Sequence, residues 1–350
     1  MLRDAPIRAK LIAILILPAL GTVILASLRI AGDLRDGSGA RRGKLAVALA
    51  ADATTLAHEL GGERDLSAVW QGRALPQPGD RAAVTSARAR VDRAMGTFRA
   101  SAAKSDTGGQ DQGPRGLVRT ALTGLGRLPA LRDGIDHGPR TPATVRQAIS
   151  AYTATTGALL EVAARTPGPA AGSGAAREPG ALVALAQAEE AASFQRGLGA
   201  VVTRSGGFQG RDQQLLAAAM GARQHELAHF LATATPGQRG RYQRAVGAPR
   251  VEHADELEAL LLGAGRNPTG RVSPDDWLSA TERVDALRAV AGWLGTQAVA
   301  ANRAAIASAS GRQLANALVL LVAVLSSVAL ASFLARSMVR PLLLLEQAAI

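Results

Sequence analysis

Two arginines, Arg64 and Arg196, occupy positions where helical spacing places each one in line with small and apolar residues. A guanidinium group does not lose its proton in a protein, so an arginine that points into a helical bundle needs an acceptor. A nearby acid such as Glu63 or Glu189 is one candidate, and a bound anion is the other. The planar fork of the guanidinium group suits a planar oxyanion. The sequence therefore indicates either internal ion pairs or an anion site.

A second motif, HELAH at residues 225–229, fits the zinc pattern H-E-x-x-H. In that pattern His225 and His229 would bind the metal and Glu226 would activate water. The pattern is short, and no third ligand follows at a recognised spacing. We favour a solvated helix face with no metal, and we keep a membrane-anchored zinc peptidase as the enzyme alternative.

The composition favours helices over sheets. Aromatic residues make up 3% of the chain and alanine is abundant, which suits closely packed helices. We predict an all-α protein. The absence of cysteine excludes disulfides and thiolate metal sites, and no cofactor is indicated. The formal charge of +12 comes from arginines scattered through every segment, without a basic run interleaved with aromatics, so nucleic acid is not an expected partner.

Apolar periodicity and runs of Gly, Pro, Ser and Asp divide the chain into helices and loops. Helices are predicted at 43–73, 80–103, 115–134, 141–165, 181–205, 211–234 and 237–262. Loops are predicted at 104–116, 166–180 and 263–272.

An internal repeat relates two halves, about 43–165 and 181–312. Shifting the sequence by 132 positions superimposes identical residues without a gap. The matched pairs are Arg64 and Arg196, Leu66 and Leu198, Ala68 and Ala200, Val69 and Val201, Asp80 and Asp212, Ala87 and Ala219, and Phe98 and Phe230. We interpret this as duplication of a helical unit, with two related bundles packed together.

Two uncharged apolar runs, 11–28 and 314–334, predict membrane-spanning helices at 11–30 and 314–334. Each is long enough to cross roughly 30 Å of hydrocarbon at about 1.5 Å per residue. A signal peptide is the alternative for the first run, which follows the basic residues of 1–10. We expect residues 40–312 on one face of the membrane and both termini on the other. The arginine and lysine counts do not decide which face is cytoplasmic.

One long helix is predicted to link the outer domain to the second span. It begins at residues 273–276, which supply a capping hydroxyl, a proline and two carboxylates at the positive end of the helix dipole. Small and apolar residues then follow at alternating spacings of three and four, as in a buried seam. We expect the helix to run to Val339 and to end before Pro341.

Four segments resemble the nitrate- and nitrite-sensing (NIT) domain of bacterial sensor proteins, including membrane histidine kinases. They are residues 60–68 (LGGERDLSA), residues 192–200 (ASFQRGLGA), residues 230–242 and the tryptophan helix that starts at Ser273. The resemblance covers about residues 56–290.

The resemblance implies an all-helical sensor of paired bundles that binds nitrate or nitrite. Arg64 and Arg196 match the arginines of the family motif, and Ser67 is a further candidate. The sequence departs from the motif at Asp65, where the first copy has glycine, and at Gly199, where the second copy has serine. A carboxylate beside Arg64 would weaken anion binding if it faced the site.

Residues 336–350 resemble the start of a HAMP domain, with Pro341 and Glu346 at the usual separation. HAMP modules are cytoplasmic and dimeric, so the resemblance implies a homodimer in the cell membrane with residues 40–312 outside. The 350 residues contain no phosphoacceptor-histidine region and no ATP-binding glycine motif. A histidine kinase, and a response regulator as its partner, would require sequence beyond Ile350.

The leading hypothesis is therefore a two-span membrane sensor. A small anion, nitrate or nitrite by resemblance, would bind between the two halves, and the long helix would pass the resulting shift to the HAMP segment. The alternatives are the zinc peptidase and a structural membrane protein that binds nothing.

Overall fold

The fold is known from a computed structural model of the 350-residue chain. It describes residues 43, 45–71, 78–106, 112–166, 178–247, 249–263, 272, 277 and 281–347. All regular structure in these ranges is α-helical, and they contain no strand, which confirms the all-α prediction for this part of the chain. Residues Arg42–Asn302 form one unit, and the helix residues from Arg303 onward belong to another.

Ten helices account for the described ranges. They are α1 (45–71), α2 (Pro78–Asp106), α3 (Gln112–Gly126), α4 (Leu128–His137), α5 (Pro142–Arg165), α6 (Glu178–Arg204), α7 (Asp212–Thr233), α8 (Pro236–Val246), α9 (Pro249–Gly263) and α10 (Thr281–Gln347). The predicted loops at 166–180 and 263–272 lie in large part outside the described residues. The predicted loop at 104–116 is helical at both ends, where α2 continues to Asp106 and α3 begins at Gln112, so those bounds were wrong.

The helices recur in the order that the repeat predicts. A shift of 132 positions carries α1 onto 177–203, within one residue of α6, and carries the start of α2 to within two residues of the start of α7. Phe98 and Phe230, which the shift matches, are both fully buried, each in the core of its own half. Ala68, Val201 and Ile149 form a smaller apolar cluster that joins α1, α6 and α5.

Proline explains two differences from the predicted helices. The segment predicted at 115–134 is two helices, because Pro129 lies in the first turn of α4 and a turn at Arg127 precedes it. The segment predicted at 237–262 likewise divides before Pro249, the first residue of α9. In both places proline begins a new helix.

The long helix α10 continues through Pro341 to Gln347, so the predicted end at Val339 is wrong. Proline removes one helical hydrogen bond and crowds one carbonyl, which bends a helix more readily than it ends one. The predicted start at 273–276 lies outside the described residues.

Among the helices of the described ranges, none has both the length and the apolarity that crossing a membrane requires. The predicted span at 11–30 lies outside those ranges, as do many side chains of 314–334. Both spans therefore stay predictions.

Trp277 packs directly on the backbone of α6. The indole is fully buried, and its Nε1–H donates to the carbonyl oxygen of Arg196 at 2.8 Å. A Cβ atom at Gly199 would lie 2.1 Å from Cε2 of this ring. Glycine is required here because the ring fills the space that a side chain would need, which explains the departure from the family's serine.

Gly199→Ala is expected to destabilise the chain by about 1–3 kcal/mol, because the new methyl group overpacks the Trp277 ring. Gly221 of α7 is the matched control, since nothing lies within 4 Å of its Cβ position. Alanine there should be neutral or stabilising by about 0.5–1 kcal/mol, the helix-propensity gain. The midpoint of urea unfolding measures both. Equal effects of the two substitutions would contradict the packing contact.

Candidate functional site

Helices α1 and α6 bring the two predicted arginines onto one carboxylate, that of Asp65. Arg64 Nε donates to Asp65 Oδ1 at 3.0 Å. Arg196 donates to Asp65 Oδ2 through Nε at 3.0 Å and through Nη2 at 2.5 Å. A guanidinium group from each half of the repeat therefore holds the same planar anion, which belongs to the chain itself.

The remaining donors of Arg64 are also engaged. Its Nη1 donates to Thr153 Oγ1 at 3.0 Å and to the carboxylate of Glu190, and its Nη2 donates to Ser193 Oγ at 2.9 Å. The Ser193 hydroxyl in turn donates to Asp65 Oδ2 at 2.6 Å. The Arg64 side chain is fully buried, whereas 11% of the Arg196 side chain is exposed. The cluster is thus partly open beside Arg196 and beside Glu190, whose side chain is 15% exposed.

The two carboxyl groups of this cluster differ in acidity. Burial raises the pKa of Asp65, but Arg196 and Arg64 outweigh it and hold that pKa below its ordinary value. Burial raises the pKa of Glu190 to about 7, and the attraction of Arg64 only partly opposes it. Asp65 is therefore ionised at neutral pH, while Glu190 lies close to its midpoint.

Glycines on both helices make room for these side chains. A Cβ atom at Gly197 would lie 2.9 Å from Asp65 Oδ1, and one at Gly61 would lie 3.2 Å from both Glu190 Oε2 and Ser193 Oγ. The shift of 132 positions aligns Gly197 with Asp65, so the two copies differ where they meet. One copy contributes the carboxylate and the other contributes the space that it occupies.

The acids named from the sequence, Glu63 and Glu189, do not contact Arg64 in the described structure. Its acidic partners are Asp65, two positions after Glu63, and Glu190, one position after Glu189. Ser67, the further candidate, is buried, and its hydroxyl has no partner among the described residues. Among the described residues, no contact joins Ser67 to the two arginines.

Glu63 anchors a separate network inside the first half. It is fully buried and accepts two hydrogen bonds from Arg132, both of 2.7 Å, and one of 2.7 Å from the Tyr152 hydroxyl. Arg88 lies 3.6 Å from Glu63 and forms two hydrogen bonds with Asp136. The sequence offered no signal for this network beyond acids and arginines on predicted helices.

The second half contains its own buried polar cluster, in which two arginines share one glutamate. Arg223 Nη2 and Arg283 Nη1 both donate to Glu258 Oε2 at 2.8 Å. Burial raises the pKa of Glu258 to about 7, which Arg223 only partly opposes. Gln195, which the shift aligns with Glu63, is buried, and its amide has no partner among the described residues.

A third polar cluster connects α6 to α10. His58 Nδ1 lies 2.9 Å from Glu189 Oε2 and 3.2 Å from Arg288 Nε. One ring nitrogen cannot donate to the carboxylate and accept from the guanidinium at the same time. Whether Nδ1 carries the proton therefore decides which of the two contacts is a hydrogen bond.

The HELAH motif lies on α7 with both histidines exposed. His229 Nδ1 is 3.9 Å from Glu226 Oε2. Within the described ranges, no group of three or more His, Asp or Glu side chains is arranged to hold a metal ion. The contacts found around His225 and His229 are those of a solvated helix face.

The raised pKa values of Glu190 and Glu258 predict that acid stabilises the fold. In the unfolded chain both carboxyls ionise near 4.5, whereas in the folded protein they keep their protons up to about 7. The folded state therefore binds more protons between these values, and the free energy of unfolding falls as the pH rises from about 4.5 to about 7. Asp65 acts oppositely and only at lower pH, because its pKa is lowered.

Urea unfolding at a series of pH values measures this slope. Glu190→Gln and Glu258→Gln should each flatten it, and the double variant should flatten it most. An unchanged slope in the double variant would contradict the assignment.

Comparison with known proteins agrees with this architecture. The sequence model of the family described as nitrate and nitrite sensing matches residues 55–299. No curated protein sequence matches the chain. Among solved structures, the NasR transcription antiterminator is similar with a TM-score of 0.69 and 21% identity, over 88% of this chain and 82% of that one. This structural likeness shows the shared fold. The family match covers most of the chain and confirms the resemblance found in its motifs: the chain belongs to the nitrate and nitrite sensing (NIT) family.

Proposed function

We propose that the chain is the sensory part of a transmembrane signalling protein and that it binds nitrate or nitrite between Arg64 and Arg196. The geometry at Asp65 is the observation that supports this most directly. Guanidinium groups from the two halves hold one planar carboxylate there. Nitrate and nitrite are planar oxyanions as well, so the same two forks suit them. Membership of the nitrate and nitrite sensing family is the reason for proposing these two anions as the ligand.

Transmission of binding would use the cluster of His58, Glu189 and Arg288. Glu189 adjoins Glu190 on α6, and Arg288 belongs to α10, the helix that continues to Gln347. A shift of α6 on anion binding would change which partner His58 takes, and Arg288 would move with α10. Coupling between two such sites is typically about 1–3 kcal/mol.

We further propose that residues 11–30 and 314–334 span the membrane, with residues 40–312 outside it. Large apolar side chains on the described part of the second run support this, because water does not favour a continuous exposed row of them. The exposed residues are Leu314, Leu318, Val319, Leu321, Val322, Leu325 and Phe333.

Residues 336–350 would then begin a HAMP domain on the cytoplasmic side, in a homodimer. A histidine kinase and its response regulator would be the output if such a domain follows.

The second candidate function is a structural membrane protein that binds no anion. Asp65, Glu190, Ser193 and Thr153 already supply acceptors to Arg64, which favours this reading. Anion titration separates the two candidates.

The 350-residue chain in detergent is expected to unfold at a higher temperature with nitrate or nitrite than with chloride at equal ionic strength, at about pH 6. A ligand at 100 times its dissociation constant adds about 2.7 kcal/mol. Arg196→Gln should abolish the shift. That variant is preferable to one at Arg64, whose loss would leave Glu190 buried without a cation and would cost about 3–5 kcal/mol.

Arg146→Gln is the matched control for this titration. Arg146 forms a partly buried pair with Asp212 at 2.6 Å and has no contact with the arginine cluster. Its loss should lower stability and leave the anion shift intact. If no oxyanion stabilises the folded wild-type chain, the arginines are structural ion pairs and the sensor proposal is wrong.

The membrane topology is testable because the natural chain contains no cysteine. Gln214 lies on an exposed face of α7, and Ser337 lies beyond the second proposed span, so Gln214→Cys and Ser337→Cys place one thiol on each side of the membrane. In intact cells, a membrane-impermeant maleimide is expected to label the first variant and not the second, and both should react after permeabilisation. Labelling of Ser337→Cys in intact cells would contradict the proposed orientation.

A further inference from the structure

The Asp65 carboxylate occupies the position where an external anion would bind. It accepts hydrogen bonds from Arg64, Arg196 and Ser193, all at 3.0 Å or less. An external anion cannot take the same donors while Asp65 holds them. Asp65 is therefore a ligand that belongs to the chain and is already in place.

The charges of the cluster are balanced without an external anion. Arg64 and Arg196 contribute two positive charges, and ionised Asp65 and Glu190 contribute two negative charges. A displaced Asp65 side chain remains attached to α1 beside the cluster, so a bound monoanion would add one uncompensated negative charge there, which is strongly unfavourable at a buried site. Glu190 is the group that can remove this excess, because burial raises its pKa to about 7, while that of Asp65 is lowered.

Building on the function proposed above, we propose that an external anion binds by displacing the Asp65 carboxylate, and that Glu190 takes up one proton in the exchange. The side chains of Arg196 and Glu190 are both partly exposed, so an external anion reaches the cluster beside them. In the other copy of the repeat, Gly197 stands at the position equivalent to Asp65, and it has no side chain that could compete with an anion for the arginines. Asp65 thus sets the affinity, and Glu190 makes it depend on pH.

Three helices contribute the titratable and charged groups that act on Glu190 directly or contact a group that does. They are Arg64, Asp65 and His58 of α1, Glu189 and Arg196 of α6, and Arg288 of α10. The nearest group of α5 is the uncharged Thr153. His58 is the imidazole of this set, so its replacement serves as a separate control.

Calorimetric titration of the 350-residue chain in detergent with sodium nitrate tests the exchange, between about pH 5.5 and about pH 8.5. Above about pH 7 the dissociation constant should rise about tenfold per pH unit, and at lower pH it should level off. Buffers with different ionisation enthalpies should report about one proton taken up per anion at high pH. Glu190→Gln should bind nitrate with no pH dependence and no proton uptake, and His58→Gln should retain both.

Asp65→Asn separates displacement from simple charge repulsion at Glu190. It removes the competing charge and keeps the side-chain shape, so nitrate should bind about tenfold more tightly or better, even at about pH 6. Proton uptake should vanish as well, because the cluster with nitrate is then neutral while Glu190 stays ionised. Asp65→Gly, which copies Gly197, should show the same gain.

The outcomes distinguish this inference from the function on which it rests. Nitrate binding that is independent of pH in the wild-type chain, or unaffected by Asp65→Asn, would overturn the exchange and leave the sensor proposal standing. No nitrate binding by the wild-type chain or by Asp65→Asn at any pH would overturn both.

Discussion

The burial of the Arg64 charge is the constraint on which the rest of the site depends. A guanidinium group keeps its charge at any depth, and an unpaired buried charge costs several kcal/mol. The chain meets this demand with acceptors from three helices: Asp65 of α1, Thr153 of α5, and Glu190 and Ser193 of α6. Helices α1, α5 and α6 must therefore pack together around the Arg64 side chain. The two halves of the repeat join at the same place.

Small residues make this meeting possible and also limit how the site can move. Gly61 and Gly197 let the acids and hydroxyls approach the opposite backbone, and Gly199 admits the ring of Trp277. The Trp277 indole holds the carbonyl of Arg196, so the tryptophan segment and the arginine helix share one contact. Interiors packed this closely change between discrete arrangements rather than deforming gradually. A shift of the Arg196 backbone would therefore also displace Trp277.

The sequence predicts the helices, the repeat and the two arginines, because each depends on spacing along one chain. It does not predict which acid pairs with Arg64. Glu63 and Asp65 flank Arg64 on the same helix, and only the packing of α6 and α4 decides that Asp65 faces the arginines while Glu63 faces Arg132. The broken helices were foreseeable, since Pro129 and Pro249 begin new helices where the apolar period alone suggested continuity.

The two copies of the repeat have matching helices but different buried polar residues, and this asymmetry suits a switch between two states. Asp65 faces Gly197, and Glu63 corresponds to the unpaired Gln195, so the second copy lacks both acids of the first. A ligand shifts an equilibrium only by its differential affinity for the two states. Because Asp65 supplies a carboxylate to both arginines, their ion pairs are already formed in the state without an external ligand. In the proposed exchange one planar anion would replace another at the arginines, so both states would keep their ion pairs. A small anion has few contacts to offer, so a small difference in free energy between the two states would suit it as a ligand.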